Sequence, residues 1–178
     1  MNIVQHFQSM AIYNQRINQQ LIKACYQLNE DQLHQETHAF FSTIMAHWNH
    51  LLFADLIMLQ RMVANDVVNL DAHLIEQLPV SKRIHDTFVD TLEELAALRT
   101  AVDTIYVDVT QALTTESCQQ EVSYTTTEGQ LLSRSLGAFL QHVFNHQTHH
   151  KGQLTALLSQ FGVDYGCMDL PVVLGEVK

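Results

Sequence analysis

Residues that interrupt helices are rare in this sequence of 178 residues, which contains only two prolines and six glycines. Proline and glycine are the residues that most disfavour a helix interior, so their scarcity leaves long segments free to be helical. Charged residues are also few, at 16% against 47% apolar residues, and this balance excludes an intrinsically disordered chain. A chain of this length can bury a full core, and we expect a single domain over residues 1–178.

Cationic residues and cysteines are scarce as well. Nine Lys and Arg against nineteen Asp and Glu give a net charge of −10, so nucleic acid, which needs a basic surface, is not an expected partner. Cys25, Cys118 and Cys167 are odd in number and form no Cys-x-x-Cys pair, which predicts reduced thiols. The sequence shows neither a leader pattern nor an apolar run long enough to span a membrane. We therefore expect a cytoplasmic protein with no membrane partner.

Apolar residues recur at helical spacing in four long segments, which predicts an all-α protein. The helices are expected at about residues 3–28, 42–65, 82–113 and 130–162, with Ser42 as the cap of the second. Residues 121–129 have strand chemistry and predict a short extended segment or hairpin before the last helix. Residues 163–178 are expected to form an irregular tail. Together these features predict a four-helix bundle with one crossover.

The second predicted helix is apolar on nearly every side. A bundle helix normally buries one stripe, so the surplus residues predict an exposed apolar patch that a homodimer would cover. These residues are Leu51, Leu52, Phe53, Leu56, Ile57, Met58 and Leu59. The alternative is that residues 33–41 or the C-terminal tail cover this face.

The third predicted helix instead carries acidic residues interpreted as a solvated face: Asp86, Asp90, Glu93, Glu94 and Asp103.

Histidines are concentrated in the last predicted helix, where His142, His146, His149 and His150 fall within nine residues. A His-x-x-x-His pair is expected roughly 0.7 times by chance at this histidine content, so the spacing alone is weak evidence. However, His146 and His150 lie one turn apart within the apolar stripe, where an unpaired imidazole costs about 1–3 kcal/mol. A shared metal ion would satisfy both, with a third ligand from another helix.

The second predicted helix offers His47 and His50 as that third ligand. On a helical wheel His47 lies nearer the centre of the apolar stripe and His50 lies at its edge. Helical geometry therefore slightly favours His47 and leaves both residues open.

Three segments together resemble the DinB family of damage-inducible, metal-binding four-helix proteins, and the resemblance covers nearly the whole chain. They are Asn145-His-Gln-Thr-His-His-Lys-Gly-Gln153, Asn49-His-Leu-Leu-Phe-Ala-Asp55 and Asp169-Leu-Pro171. The resemblance implies a divalent metal held by three histidines, which in this sequence are His50, His146 and His150, with His47 as the alternate. Lys151 stands where the family pattern has arginine, which would alter any anion contact at that position.

Three neutral imidazoles leave a coordination position open, as in catalytic sites. That position could hold a water made more acidic by the metal, or a thiolate. The resemblance implies a hydrolase or a low-molecular-weight-thiol-dependent transferase with a small-molecule substrate. The alternative is a non-catalytic metal-binding stress-response or interaction protein. Zinc or nickel is the expected metal, with iron as a further possibility. His142 and His149 are candidates for hydrogen bonds to the ligands or for proton transfer.

Overall fold

The computed structural model describes residues 1–70 and 72–175 and consists mainly of helices. In chain order the elements are α1 (Ile3–Cys25), α2 (Glu30–Leu33), α3 (Ile44–Ala64), α4 (Ala72–Glu76), α5 (Leu92–Gln111), β1 (Glu121–Thr125), β2 (Leu131–Ser135), α6 (Leu136–Gln160) and α7 (Leu170–Leu174). The long helices α1, α3, α5 and α6 pack on one another, which confirms the predicted helical fold. In the described part of the chain, no helix is both long and apolar enough to cross a membrane.

Side-chain caps decide where the helices begin. The hydroxyl of Thr43, one residue beyond the predicted cap Ser42, accepts a hydrogen bond from the Ala46 N–H at 2.9 Å and starts α3. Thr91 and Glu94 form a capping box, so α5 begins at residue 92 and the predicted start near residue 82 was wrong. The sequence Thr-x-x-Glu carried this signal.

Other boundaries differ for similar reasons. The Asn29 side chain caps α2, so the first helix ends at Cys25 and not at residue 28. Residues 131–135 form β2, and α6 starts only after Ser135, whose hydroxyl accepts from the Ala138 N–H at 3.3 Å. The tail contains α7 and is therefore not wholly irregular. Position 71 of the crossover, which is the connection 65–91 between α3 and α5, and positions 176–178 of the tail lie outside the described residues.

The predicted hairpin is confirmed and lies against the C-terminal half of α3. β1 and β2 pair antiparallel with Ser123 opposite Ser133. The Asn65 amide donates to the Ser123 carbonyl at 3.0 Å and accepts from the Ser123 N–H at 2.9 Å. The Arg61 guanidinium donates to the Thr125 carbonyl at 3.0 Å. These bonds fix the hairpin beside α3.

The apolar surface of α3 is buried within the chain, so the predicted exposed patch was wrong. Six of its seven residues are buried and Ile57 is half-buried. Leu56 and Leu59 face Ile75 and Leu78 across a small cavity, which shows that the crossover covers this face. The C-terminal tail, the alternative cover for this face, packs on α1 instead.

The predicted solvated acidic face does not include Asp103, which is buried at 2% exposure. The Arg99 guanidinium lies 2.9 Å from the Asp103 carboxylate and 2.6 Å from the Asp55 carboxylate of α3. The Asn18 amide of α1 donates to the Asp103 carboxylate at 2.9 Å. Asp103 is buried because it has these partners, which sequence spacing on α5 alone did not reveal.

Candidate metal centre

Three histidine side chains from two helices meet at one point. His50 comes from α3, while His146 and His150 lie one turn apart on α6. Nε2 of His50 lies 3.2 Å from Nε2 of His146 and 3.2 Å from Nε2 of His150. One ligand atom from each of the three lies within 4.8 Å of the others. Nδ1 of His47 instead lies 3.2 Å from the Thr43 carbonyl oxygen, so the structure groups His50, and not His47, with the pair on α6.

The spacing of these nitrogens fits a tetrahedral divalent ion. Zinc–nitrogen bonds are about 2.0–2.1 Å long, and the edge of such a tetrahedron is therefore about 3.3 Å. Two of the observed nitrogen separations are 3.2 Å. Lone pairs that face one another at this distance repel unless a cation or a proton lies between them. The donor set therefore suits a metal ion.

Gln153 determines which nitrogen of His150 faces the cluster. Nδ1 of His150 lies 2.7 Å from Oε1 of Gln153, which is an acceptor, so Nδ1 carries the proton. Neutral His150 then presents the lone pair of Nε2 to the other rings, in the manner of histidine ligands that donate their second N–H to a neighbour. The Nδ1 atoms of His50 and His146 are buried without a hydrogen-bond partner among the described residues.

Burial keeps the three imidazoles neutral. Removal from water lowers the pKa of His50 to about 3, and the neighbouring imidazoles of His150 and His146 contribute in the same direction. Burial lowers the pKa of His146 to about 3 as well, and it lowers the pKa of His150. At neutral pH the rings are therefore uncharged, which is the state that binds a metal.

Phe41 closes one side of the cluster. Its ring stacks on His50, with the ring centroids 3.9 Å apart and 21° between the planes. It also meets the edge of His150, with a centroid separation of 5.8 Å. Phe41 is 6% exposed, whereas its neighbour Phe40 is 78% exposed. The buried ring excludes water from this side of the imidazoles.

A cavity of about 290 Å³ opens on His50 and His146. Its walls come from α3, the hairpin and α6, with Ile84 from the crossover. Apolar and aromatic side chains form just over half of the lining: Phe53, Ala54, Ile57, Met58, Ile84, Tyr124, Leu132 and Val143. Besides His50 and His146, the polar side chains of the lining are Asp55, Arg61, Thr126, Thr127 and His142. An apolar cavity with a few polar groups is typical of small-molecule sites.

His142 and His149 occupy different positions. His142 lines the cavity, with its ring centroid 6.0 Å from that of His146. Burial and the nearby charge of Arg61 lower the pKa of His142. Both side chains are exposed, but His149 lies outside the cavity lining, and its ring centroid lies 4.8 Å from that of His150. Of these two candidates, His142 is therefore the one beside the cavity.

One family of known proteins matches nearly the whole chain. The DinB family model matches residues 3–175. The chain belongs to the DinB family. It is also 26% identical over 159 residues to Protein DinB of Bacillus subtilis (strain 168), in an alignment that covers 86% of this chain and 88% of that protein. The resemblance seen in the sequence is confirmed.

Lys151, where the DinB pattern has arginine, lies in the core and not in the cavity. It is 2% exposed, and its Nζ donates to Oδ1 of Asn14 on α1. Burial lowers the pKa of Lys151 to about 7, while the Asp103 carboxylate acts in the opposite direction. The side chain therefore links α6 to α1, and an anion contact at the metal is not its role here.

Sequence reasoning missed three residues of this region: Phe41, Arg61 and Gln153. Gln153 had a readable signal, because it lies three residues after His150 on the same helical face. Phe41 lies in a connection without periodicity, and Arg61 lies on a helix that is apolar all round. Their positions depend on tertiary packing, which no local pattern in the sequence indicates.

Proposed function

We propose that this protein is a metal-dependent enzyme that acts on a small molecule and holds a divalent ion through His50, His146 and His150. The observation that carries the proposal is the convergence of three neutral imidazoles at the wall of a cavity. Zinc or nickel suits such a donor set, and iron is the alternative. A bound divalent ion supplies Lewis acidity and lowers the pKa of a coordinated water or thiol.

The surrounding residues prepare the ligands and the nucleophile. Gln153 holds His150 in the tautomer with a free Nε2 lone pair, and Phe41 shields the ring of His50 from water. A ring nitrogen of neutral His142, on the cavity wall, takes up the proton that a water or thiol releases on becoming a nucleophile. His149 lies outside the cavity lining and has no part in this proposal.

Two reactions suit this arrangement: hydrolysis and transfer of a group to or from a low-molecular-weight thiol. Both need an open position at the metal and space for a small molecule beside it, and the cavity at His50 and His146 offers that space. The non-catalytic alternative is a metal-binding stress-response or interaction protein. That alternative needs no substrate cavity, so the cavity favours the enzyme.

Metal analysis combined with two colorimetric assays tests the proposal. Protein purified without a polyhistidine tag should contain stoichiometric metal, lose it to a chelator and recover it with zinc or nickel. The metal-loaded protein should accelerate either nitrophenyl ester hydrolysis or conjugation of a chlorinated nitrobenzene with a small thiol. His146→Ala should abolish metal binding and activity, whereas His149→Ala, the control on the same helix, should keep both.

The outcomes separate the two functions. Stoichiometric metal without acceleration of either reaction would support the non-catalytic alternative. Full metal retention in both His146→Ala and His150→Ala would overturn the ligand assignment.

The homodimer expected from the sequence stays a prediction, and its original reason no longer holds. Because Phe53 and Leu56 are buried within one chain, Phe53→Glu or Leu56→Glu would disrupt the core and would not report on a dimer. Light scattering of the wild-type protein at micromolar concentration is the appropriate test, and a monomer there would refute the dimer.

A further inference from the structure

Arg61 lies on the wall of the same cavity that opens on His50 and His146. One guanidinium nitrogen, Nη2, donates to the Thr125 carbonyl at 3.0 Å. The other, Nη1, lies 3.6 Å from the thioether sulfur of Met58, which is a weak acceptor. The guanidinium carbon lies 4.3 Å from the centre of the Tyr124 ring, in a cation–π contact. Arg61 is therefore held in place with donor capacity to spare.

The charge of Arg61 has no carboxylate partner among the described residues. Arg99, by contrast, lies against two carboxylates, and one of them is Asp55, the acidic residue of the cavity lining. Arg61 is half-buried, and burial lowers its pKa, with only the Tyr124 hydroxyl acting in the opposite direction. Charges that are removed from water are normally paired, and the guanidinium of Arg61 is partly removed from water beside the cavity, so a ligand is expected to supply its partner.

We propose that the cavity takes an amphipathic small molecule whose oxyanion group, a carboxylate or a phosphate, binds Arg61 while its apolar body fills the space toward His50 and His146. The planar guanidinium matches the geometry of both oxyanions. The apolar lining excludes a ligand that is polar throughout, since its other groups would lose hydrogen bonds to water. The placement of the reacting end rests on the proposed function, whereas the anion contact does not need the metal.

Two probes of the same shape test the anion contact: phenylpropanoate and its neutral amide, phenylpropanamide. Both are titrated into chelator-treated protein, so that the carboxylate cannot bind a metal ion, and NMR chemical shifts report the dissociation constants. We expect the acid to bind roughly tenfold to hundredfold more tightly than the amide, as charge-assisted hydrogen bonds allow. The Arg61 Nε–H signal should shift with the acid and not with the amide.

Variants identify the residue responsible. Arg61→Gln should remove the preference for the acid and leave amide binding unchanged, and Arg61→Lys should keep part of the preference. Arg134→Gln is the matched control, because Arg134 lies on β2 and is exposed. If Arg61→Gln also weakens amide binding because the hairpin has moved, the Arg61 Nε–H shift in the wild-type protein decides.

A second titration separates this inference from the proposed function. Cobalt-loaded protein is titrated with mercaptohexanoate and mercaptohexanol, whose thiolates give an absorption band on binding cobalt. Tighter binding of the acid there supports both proposals together. A preference in the metal-free titration without any cobalt binding would keep the Arg61 site and overturn the metal function. Equal affinities for the acid and the amide, or a preference that survives in Arg61→Gln, would overturn the Arg61 site.

Discussion

Replacing His50 and His47 separately by alanine tests the ligand set where the sequence left two choices. His50 has its Nε2 3.2 Å from Nε2 of both histidines on α6. His47 instead has its Nδ1 3.2 Å from the Thr43 carbonyl oxygen. His50→Ala therefore removes one of three converging nitrogens, whereas His47→Ala removes a local side chain–backbone hydrogen bond.

The expected loss of affinity follows from the number of ligands. Four-ligand zinc sites in small domains bind with about 10–16 kcal/mol, or about 2.5–4 kcal/mol per ligand when divided evenly. His50→Ala should thus weaken zinc binding about hundred- to thousandfold. His47→Ala should cost at least about 0.5–1.5 kcal/mol of folding free energy through its lost hydrogen bond, and more through the cavity that the buried ring leaves, but it should leave zinc affinity nearly unchanged.

Competition titration with a chromophoric zinc chelator at neutral pH measures both affinities on untagged protein. Thermal unfolding gives an independent readout, because zinc at a hundred times its dissociation constant stabilises the folded state by about 2.7 kcal/mol. That stabilisation should persist in His47→Ala and disappear in His50→Ala at the same zinc concentration. Wild-type affinity in His50→Ala, or an equal loss in both variants, would refute the assignment.

Three further predictions use other contacts. Gln153→Leu should weaken zinc binding about tenfold to hundredfold in the same titration because His150 loses the hydrogen-bond partner that orients its ring. Gln141→Leu, the control on the same helix, should leave zinc affinity unchanged. Arg99→Met should destabilise the protein by about 3–5 kcal/mol in urea unfolding because it leaves buried carboxylates unpaired, and a loss below 1 kcal/mol would contradict this ion-pair argument. Burial lowers the pKa of His50 and His146 to about 3, so below about pH 6.5 the unfolded chain binds protons that the folded chain does not. Metal-free protein should therefore keep its stability above about pH 6.5 and lose it as the pH falls toward about 3. The loss of stability per pH unit should be smaller in His146→Gln. Urea midpoints that do not change over this range would contradict the pKa shifts.

The helical wheel could not choose between His47 and His50 because α3 is buried on all sides. An apolar stripe marks the inner face of a helix only when the other faces are in water. His47 is 1% exposed and His50 is 6% exposed, so burial does not distinguish them either. The position of α6 distinguishes them, and that position is a tertiary property. On α6 itself the spacing sufficed, because His146 and His150 share a face in any α-helix.

Local signals predicted the elements better than their ends. The strand chemistry of residues 121–129 predicts the hairpin, but the second strand lies in the segment predicted as the last helix because Leu132 fits the apolar stripe of that helix. The capping box of Thr91 and Glu94 would have placed the start of α5 correctly. The i,i+4 spacing of Arg99 and Asp103 was a local signal of their ion pair, but the burial of this pair depends on Asp55 of α3 and on Asn18 of α1.

Each of the three clustered histidines is followed in the chain by a core residue, and these residues are Leu51, Gln147 and Lys151. The Gln147 amide lies 3.4 Å from the Leu51 carbonyl oxygen, and Lys151 donates to Asn14 on α1. Adjacent positions on a helix are fixed about 100° apart, so rotating α6 to bring other residues into the cluster would also break these buried contacts. A buried polar group left unpaired costs about 1–3 kcal/mol, which is a large share of the stability of a domain. The polar contacts of the core thereby favour the rotation of α6 at which His146 and His150 face His50.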